Sequence, residues 1–273
     1  MNIKESRVAN FYNIEKCEDY FCLKRNMLKK YILELEKDKL FLKEISDQIS
    51  YIRNNYSFKK GIFKKKLIKN IHEFSFLRIL IYCLARHFKP KNILETGVYY
   101  GGNTLFLLKA IKANGSGNIL AIDLPDTIMK IKFKKKLKEY RHPLVKESEN
   151  YTTKLVPGFI IPKKYTNKLN LVLGEATSEI KKIKNKIDLY VHDSDHSFKY
   201  LSGELNAIEK KMPNKNSIII VDDIDWSNAF YSHVSKKKYY PILFSDNGKD
   251  NLRTRVGLIF KNHKNNNKTS WAK

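Results

Sequence analysis

An α/β fold is predicted: a doubly wound, mostly parallel sheet ending in an antiparallel hairpin, behind an N-terminal helical extension. Three observations carry this expectation. From residue 90 onward, short β-branched runs alternate with helical stretches. The runs are apolar without strict alternation, as strands buried on both faces are, and a parallel sheet flanked by helices on each side buries them so. Two late apolar runs flank the pair Asn247–Gly248, a hairpin signal foreign to an all-parallel sheet.

Residues 1–55 carry no strand signal. Leu28, Tyr31, Leu35, Leu42, Ile45, Ile49 and Ile52 recur near every 3.5 residues, with Asp38 interrupting, and predict one long amphipathic helix. It packs on its own domain or forms a short coiled-coil seam with a second copy; the heptads are few and imperfect, which favours the first. "NNYSFKKG" (54–61) reads as a linker, and helical patterns follow over 62–70 and 73–88. The most apolar stretch, "FSFLRILIYCLARHF" (74–88), holds Arg78 and Arg86 and is too short to span a bilayer, so it reads as a buried helix.

Strands are predicted at 92–95, 118–123, 169–173, 187–192 and 217–222, with helices beginning near 103, 126, 176 and 197. "YYPILF" (239–244) and "RVGLIF" (255–260) form the hairpin. The expected organisation is a helical extension over 1–60, a sheet domain over 61–260 and a disordered tail over 261–273.

The chain has 273 residues, 42% of them hydrophobic, enough for a sizeable core. Cys17, Cys22 and Cys83 make neither a disulfide framework nor a zinc-site spacing. Reduced thiols and the lack of a signal-peptide pattern lead to the expectation of a cytoplasmic protein. The net charge of +25 raises a polyanionic partner, yet only eight of the 53 basic residues are Arg, the residue that phosphate and base recognition favours. The lysine runs at 59–69, 130–138 and 181–186 read as solvated faces, with nucleic acid and an anionic membrane surface as alternatives.

"NILETGVYYGGNTLFLL" (92–108) runs a strand through a glycine turn into a helix. Its glycines do not match G-x-G-x-x-G, and it lacks the Lys of a phosphate loop. The acid Glu95 at the strand end suits a cationic or hydroxyl-bearing group, while Gly97 and Gly101 let backbone approach it, and the next helix offers N–H groups to a carboxylate. Asp123 and Glu175 close the second and third strands. Ligands of such sheets bind at these carboxyl ends; a strand-end or N-cap carboxylate is the alternative for each acid.

"ILETGVYYGGNT" resembles the first motif of class I S-adenosylmethionine-dependent methyltransferases, particularly the catechol O-methyltransferase-like branch, over roughly residues 75–260. The resemblance implies a Rossmann-like fold and a methyl-transfer activity. It implies that Glu95, Gly97, Tyr99, Gly101 and Asn103 line the methionine half of the cofactor, that Asp123 binds the ribose hydroxyls and that Glu175 contacts the adenine.

"YVHDSDHSF" (190–198) ends the fourth strand with Asp193, Asp195 and His196, and "IIIVDDIDW" (218–226) ends the fifth with Asp222, Asp223 and Asp225. Carboxylates on neighbouring strands repel unless a cation sits among them, and oxygen ligands select Mg²⁺, Ca²⁺ or Mn²⁺. The alternative is a helix cap at Asp222–Asp223 and an Asx-turn at Asp193–Asp195. The paired motif resembles the metal-dependent sugar and macrolide O-methyltransferases. That likeness implies a metal held by Asp193, Asp222 and Asp223, with Asp193 also bordering the cofactor, Asp195 as general base, and His196 as its support or substitute.

The expected activity is therefore S-adenosylmethionine-dependent, metal-assisted O-methylation of a small-molecule or sugar hydroxyl. An RNA-directed methyltransferase is one alternative, although no Asn-Pro-Pro-Tyr-like motif is present; a membrane- or partner-docking protein on a non-catalytic scaffold is another. The insertion 151–168 reads as a lid or a surface loop. Trp226 is a candidate wall of the acceptor pocket, and Phe230 a core residue.

Overall fold

A computed structural model describes residues 3–55, 68–124, 157–245 and 254–264. Most of the linker, most of the 62–70 helix, the helix near 126, the turn at Asn247–Gly248 and residues 265–273 lie outside them; residues 54 and 55, expected in the linker, end a helix instead. Three helices open the chain: α1 (Ile3–Tyr20), α2 (Lys29–Lys37) and α3 (Lys39–Asn55). The single long helix expected over 28–52 is thus two. Asp38 divides them because its carboxylate caps α3, accepting from the Phe41 amide at 2.9 Å, and is clamped by Lys109. Glu18 of α1 does the same for α2, accepting from the amides of Asn26, Leu28 and Lys29.

The stripe Leu28, Tyr31, Leu35, Leu42, Ile45 and Ile49 is buried in one hydrophobic cluster with Ile79, Leu84 and Phe106. That face packs on the chain's own core. Helix α4 (Phe76–Phe88) buries most of its residues, as the apolar run predicts.

The alternating pattern that follows gives β1 (Asn92–Thr96), α5 (Gly102–Asn114), β2 (Asn118–Asp123), β3 (Leu169–Leu173), α6 (Ala176–Lys182), β4 (Leu189–His192), α7 (Phe198–Glu209), β5 (Ile218–Val221), α8 (Ala229–Lys237), β6 (Tyr239–Ser245) and β7 (Thr254–Lys264). The sheet order is β3-β2-β1-β4-β5-β7-β6. Pairings among the first five strands are parallel, while β7 runs antiparallel to both β5 and β6. Strand β7 continues to Lys264, so residues 261–264 belong to the sheet and not to the expected tail.

Both faces of the sheet are covered. Ile93, Leu189, Val191, Ile218 and Ile220 pack toward α1–α5, and Leu94, Tyr190, Ile219 and Val221 toward α6–α8. Continuous burial along β4 and β5 is why their sequences show no polar alternation. The order reverses between β1 and β4, which opens a crevice at their carboxyl ends.

Candidate active site

The glycine turn leaves β1 under constraint from its neighbours. Gly97, Tyr99 and Gly101 all have positive φ, +84°, +49° and +94°. A Cβ at Gly97 would strike the backbone carbonyl of Asp193, so only glycine lets β1 and β4 end side by side here. The turn is pinned to β2: Gly97 donates to Ile122 O at 2.9 Å, and Asp123 Oδ2 accepts from the amides of Val98 and Tyr99 at 2.9 and 2.6 Å. Asp123 Oδ1 accepts from Leu124 N. Asp123 therefore shapes the turn, and the spare lone pairs of its oxygens are what it can offer a ligand. Burial raises its pKa and the three amides partly offset this.

Segment 157–161 closes over the same turn. Gly158 and Ile160 donate to the carbonyls of Tyr99 and Tyr100, and Phe159, Ile160 and Ile161 are buried in the core. This part of the insertion is anchored structure and not a surface loop; residues 151–156 lie outside the described residues.

Beneath the turn Glu95 is fully buried, and neither carboxylate oxygen makes a hydrogen bond of good geometry; Thr104 alone approaches as a weak donor. Burial pushes its pKa up to about 8; Thr104 eases this, while Asp193 and Asp123 add to it as like charges. Asn103 Oδ1 and Thr104 Oγ1 are also buried without such a bond. They lie where β1 passes into α5, whose N-terminus no side chain caps.

Asp193 joins the halves of the crevice. Its Oδ2 accepts from Asn103 Nδ2 at 2.7 Å, and its Oδ1 lies 3.8 Å from His196 Nε2. Burial raises its pKa to about 6; His196, Asn103 and Arg78 pull it down and Asp223 pushes it up. The His196 ring packs between His192 and Trp226, at centroid distances of 5.3 and 5.8 Å, and Trp226 is 67% exposed at the mouth. Phe230 is fully buried, as expected.

Other expected site residues have local duties. Glu175 caps α6 by accepting from Thr177 and Ser178 amides; burial raises its pKa, and the Ser178 and Thr177 bonds more than offset this, so the net shift is downward. Asp195 is exposed and accepts from the Ser197 amide at 2.9 Å, forming the Asx-turn that was the alternative for this motif. Asp222 and Asp223 follow β5, and Asp223 has a φ of +45°.

The expected metal centre is not assembled. Among the described residues no group of three or more His, Cys, Asp or Glu side chains is placed to hold a metal ion. Asp193 and Asp223 sense each other's charge, but Asp193 directs one oxygen at Asn103 and the other toward His196. As placed, the described residues do not converge three such donors on one point, so the set does not fit a resident ion in this arrangement.

Sequence reasoning missed the support beneath Asp193 and His196. Glu204 of α7, 2% exposed, accepts from Tyr190 at 2.8 Å and Ser194 at 2.6 Å, and Tyr190 meets Thr96 Oγ1 at 2.9 Å. Ser194 Oγ also lies 3.2 Å from His192 Nε2. His192 is wholly buried, which lowers its pKa to about 3 and keeps it neutral. A Glu in the apolar face of α7 was the available signal. A separate cavity of about 430 Å³, lined by Lys89, Lys91, Asp188 and Phe260 among others, lies at the opposite, amino-terminal end of the strands.

Cys17, Cys22 and Cys83 are free thiols. Among the described residues no helix is long and apolar enough to cross a membrane.

With this geometry in view, residues 94–224 match a family model described as a methyltransferase domain. The span runs from β1 to just beyond β5, so it holds the glycine turn, the first aspartate motif and Asp222 and Asp223 of the second. No curated protein matches the chain in sequence. Among solved structures, the chain is similar to the O-methyltransferase from Bacillus cereus in complex with SAH, at 11% identity and a TM-score of 0.50, covering 85% of this chain and 99% of that one. It also overlaps the SAH-bound Podospora anserina methyltransferase PaMTH1, at 15% identity, 79% and 86% coverage and a TM-score of 0.49. The O-methyltransferase TomG from Streptomyces achromogenes, involved in tomaymycin synthesis and solved with SAM, gives 11%, 83%, 91% and 0.49. At such identities the Bacillus cereus likeness bears on the fold alone.

Proposed function

We propose that this chain is a class I methyltransferase that uses S-adenosylmethionine to methylate a hydroxyl oxygen of a small molecule or carbohydrate. One observation carries the donor assignment: Glu95, Asn103 and Thr104 hold buried polar atoms without a good hydrogen bond beneath a glycine turn at the switch point of the sheet. Those atoms, acceptors but for the Thr104 hydroxyl, fit the N–H donors of an ammonium, and the uncapped amides at the α5 start fit a carboxylate. Glu95 and Asn103 would hold its amino-acid half, the turn from Gly97 to Gly101 its sulfur, and Asp123 its ribose. Glu175 is the expected adenine neighbour, with its carboxylate already engaged as a cap. Bound there, the donor supplies an electrophilic sulfonium methyl.

The rest falls to the residues beside it. His196 takes the proton from the acceptor hydroxyl, and Asp193, 3.8 Å away, stabilises the imidazolium formed. Asp195 lies at the rim, where its second oxygen can hydrogen-bond the acceptor. Trp226 offers a flat exposed face against which the acceptor stacks. No step is drawn through a metal ion. The five acids that follow β4 and β5 (Asp193, Asp195, Asp222, Asp223 and Asp225) speak against a polyanionic acceptor such as RNA, despite the net charge of +25.

The test is transfer of labelled methyl from S-adenosylmethionine to a panel of sugar nucleotides, glycans and phenolics, with and without EDTA. Labelled product that survives chelation is expected. Loss with EDTA and recovery on adding magnesium would return Asp193, Asp222 and Asp223 to the role of metal ligands. Failure to label any hydroxyl-bearing acceptor, with RNA labelled instead, would overturn the substrate class.

A further inference from the structure

One charged side chain at the crevice has no part in the chemistry above. Arg78 stands in the first turn of α4, a helix otherwise apolar until its last turn. Its Nη2 donates to the Tyr100 hydroxyl, and the guanidinium lies over the rings of Phe74 and Tyr100, 5.8 and 5.4 Å from their centroids. Its Nε is buried and meets no acceptor among the described residues. A guanidinium N–H removed from water and left unpaired is costly, more so than a neutral one. Such an atom is kept where a ligand answers it.

The fork lies against the start of α5. A Cβ on Gly102 would come within 2.8 Å of Nε and 2.9 Å of Nη2, so the absent side chain is what admits the guanidinium. The α5 N-terminus adds its own positive pole at the same place. Three buried side chains on the crevice floor are also unmet: Glu95 and Thr104 are fully buried and Asn103 is 5% exposed. The crevice thus has a cationic pole, made by Arg78 and the helix start, and an acidic pole, made by Glu95 and Asp193, whose carboxyl groups an incoming ammonium would hold ionised. A free α-amino acid end carries the same two charges.

We infer that Arg78 binds the α-carboxylate of the methyl donor's amino-acid half, its Nε–H and the α5 N-terminus facing the two oxygens while Glu95 and Asp193 face the ammonium. The inference rests on the proposed donor. Arg suits the task where Lys would not, because a planar fork matches a planar carboxylate.

Calorimetric titration with two probes tests it: S-adenosylhomocysteine, which keeps the amino-acid end, and 5′-methylthioadenosine, which lacks it. In Arg78→Gln the first should bind about 10- to 100-fold more weakly, the scale of a lost charge-assisted hydrogen bond. The second should bind as in the wild type, which also reports a folded adenosine site. Arg78→Lys, which keeps the charge and loses the fork, should fall between them and serves if the Gln variant does not fold. Unchanged binding of S-adenosylhomocysteine in both variants, or equal loss of both probes, would overturn the role of Arg78 and leave the donor assignment standing. A wild-type protein that binds neither probe would overturn the donor assignment, and this inference with it.

Discussion

Asn103 donates a 2.7 Å hydrogen bond to the Asp193 carboxylate, linking the helix that follows β1 to the loop that follows β4. It makes one unit of two motifs separated by 90 residues: the turn expected to hold the donor and the loop expected to activate the acceptor. Asp193→Asn should therefore lower kcat by about 10²–10⁴, the range of general acid–base contributions. Asn103→Ala should chiefly weaken donor binding. Steady-state kinetics against each substrate separates the two.

Gly97 and Gly115 make a matched pair for the turn. Both have positive φ, +84° and +71°, but a Cβ at Gly115 meets nothing, while one at Gly97 meets the Asp193 backbone. Gly115→Ala should cost only the backbone strain, about 1–3 kcal/mol. Gly97→Ala should cost more and reduce donor affinity at least about tenfold by forcing β1 and β4 apart. Denaturant unfolding with S-adenosylhomocysteine titration reads both; equal behaviour of the two variants would contradict the close approach.

Much of this was legible in the sequence. The strands were, because burial on both faces writes itself as uninterrupted Ile, Leu and Val. The Asp38 break was visible as an interruption, but not that its carboxylate would find the Phe41 amide and Lys109. Helix α1 escaped notice because its buried positions include Asn10, Asn13 and Glu18, polar residues whose burial depends on distant partners. At the site, the acids were found but not their partners: which lone pairs go to backbone amides, as at Asp123 and Glu175, is decided by turns that spacing does not reveal. Arg78 and Glu204 lie on helices, where a single charge in an apolar run gives no hint of what it faces.

Glu95 predicts a pH dependence. Its folded pKa of about 8 stands above that of an unfolded glutamate, near 4.5. The folded state therefore holds the proton more tightly, and stability fully present below about pH 4.5 is lost as pH rises through 8. Glu95→Gln should flatten this slope in the ligand-free protein and make it more stable at pH 8 by about 1–3 kcal/mol. The same variant should bind the donor less well, since a neutral amide no longer faces its ammonium. Chemical denaturation at several pH values is the check.

Glu204 is expected to act through the loop it holds. Glu204→Ala leaves Tyr190 and Ser194 without their acceptor and should cost about 1–3 kcal/mol of stability. It should lower kcat more than it raises KM, because it loosens the loop carrying Asp193 and His196. Glu204→Gln keeps an acceptor oxygen and should restore most of both. If Gln and Ala behave alike, the carboxyl group is not what orders the loop.

A crystal structure with bound S-adenosylhomocysteine tests the central claim most directly. The account predicts its amino-acid end against Glu95 and Asn103, its chain over Gly97–Gly101 and its ribose at Asp123. A ligand seated instead in the cavity between Lys89, Lys91 and Asp188, at the other end of the strands, would contradict it.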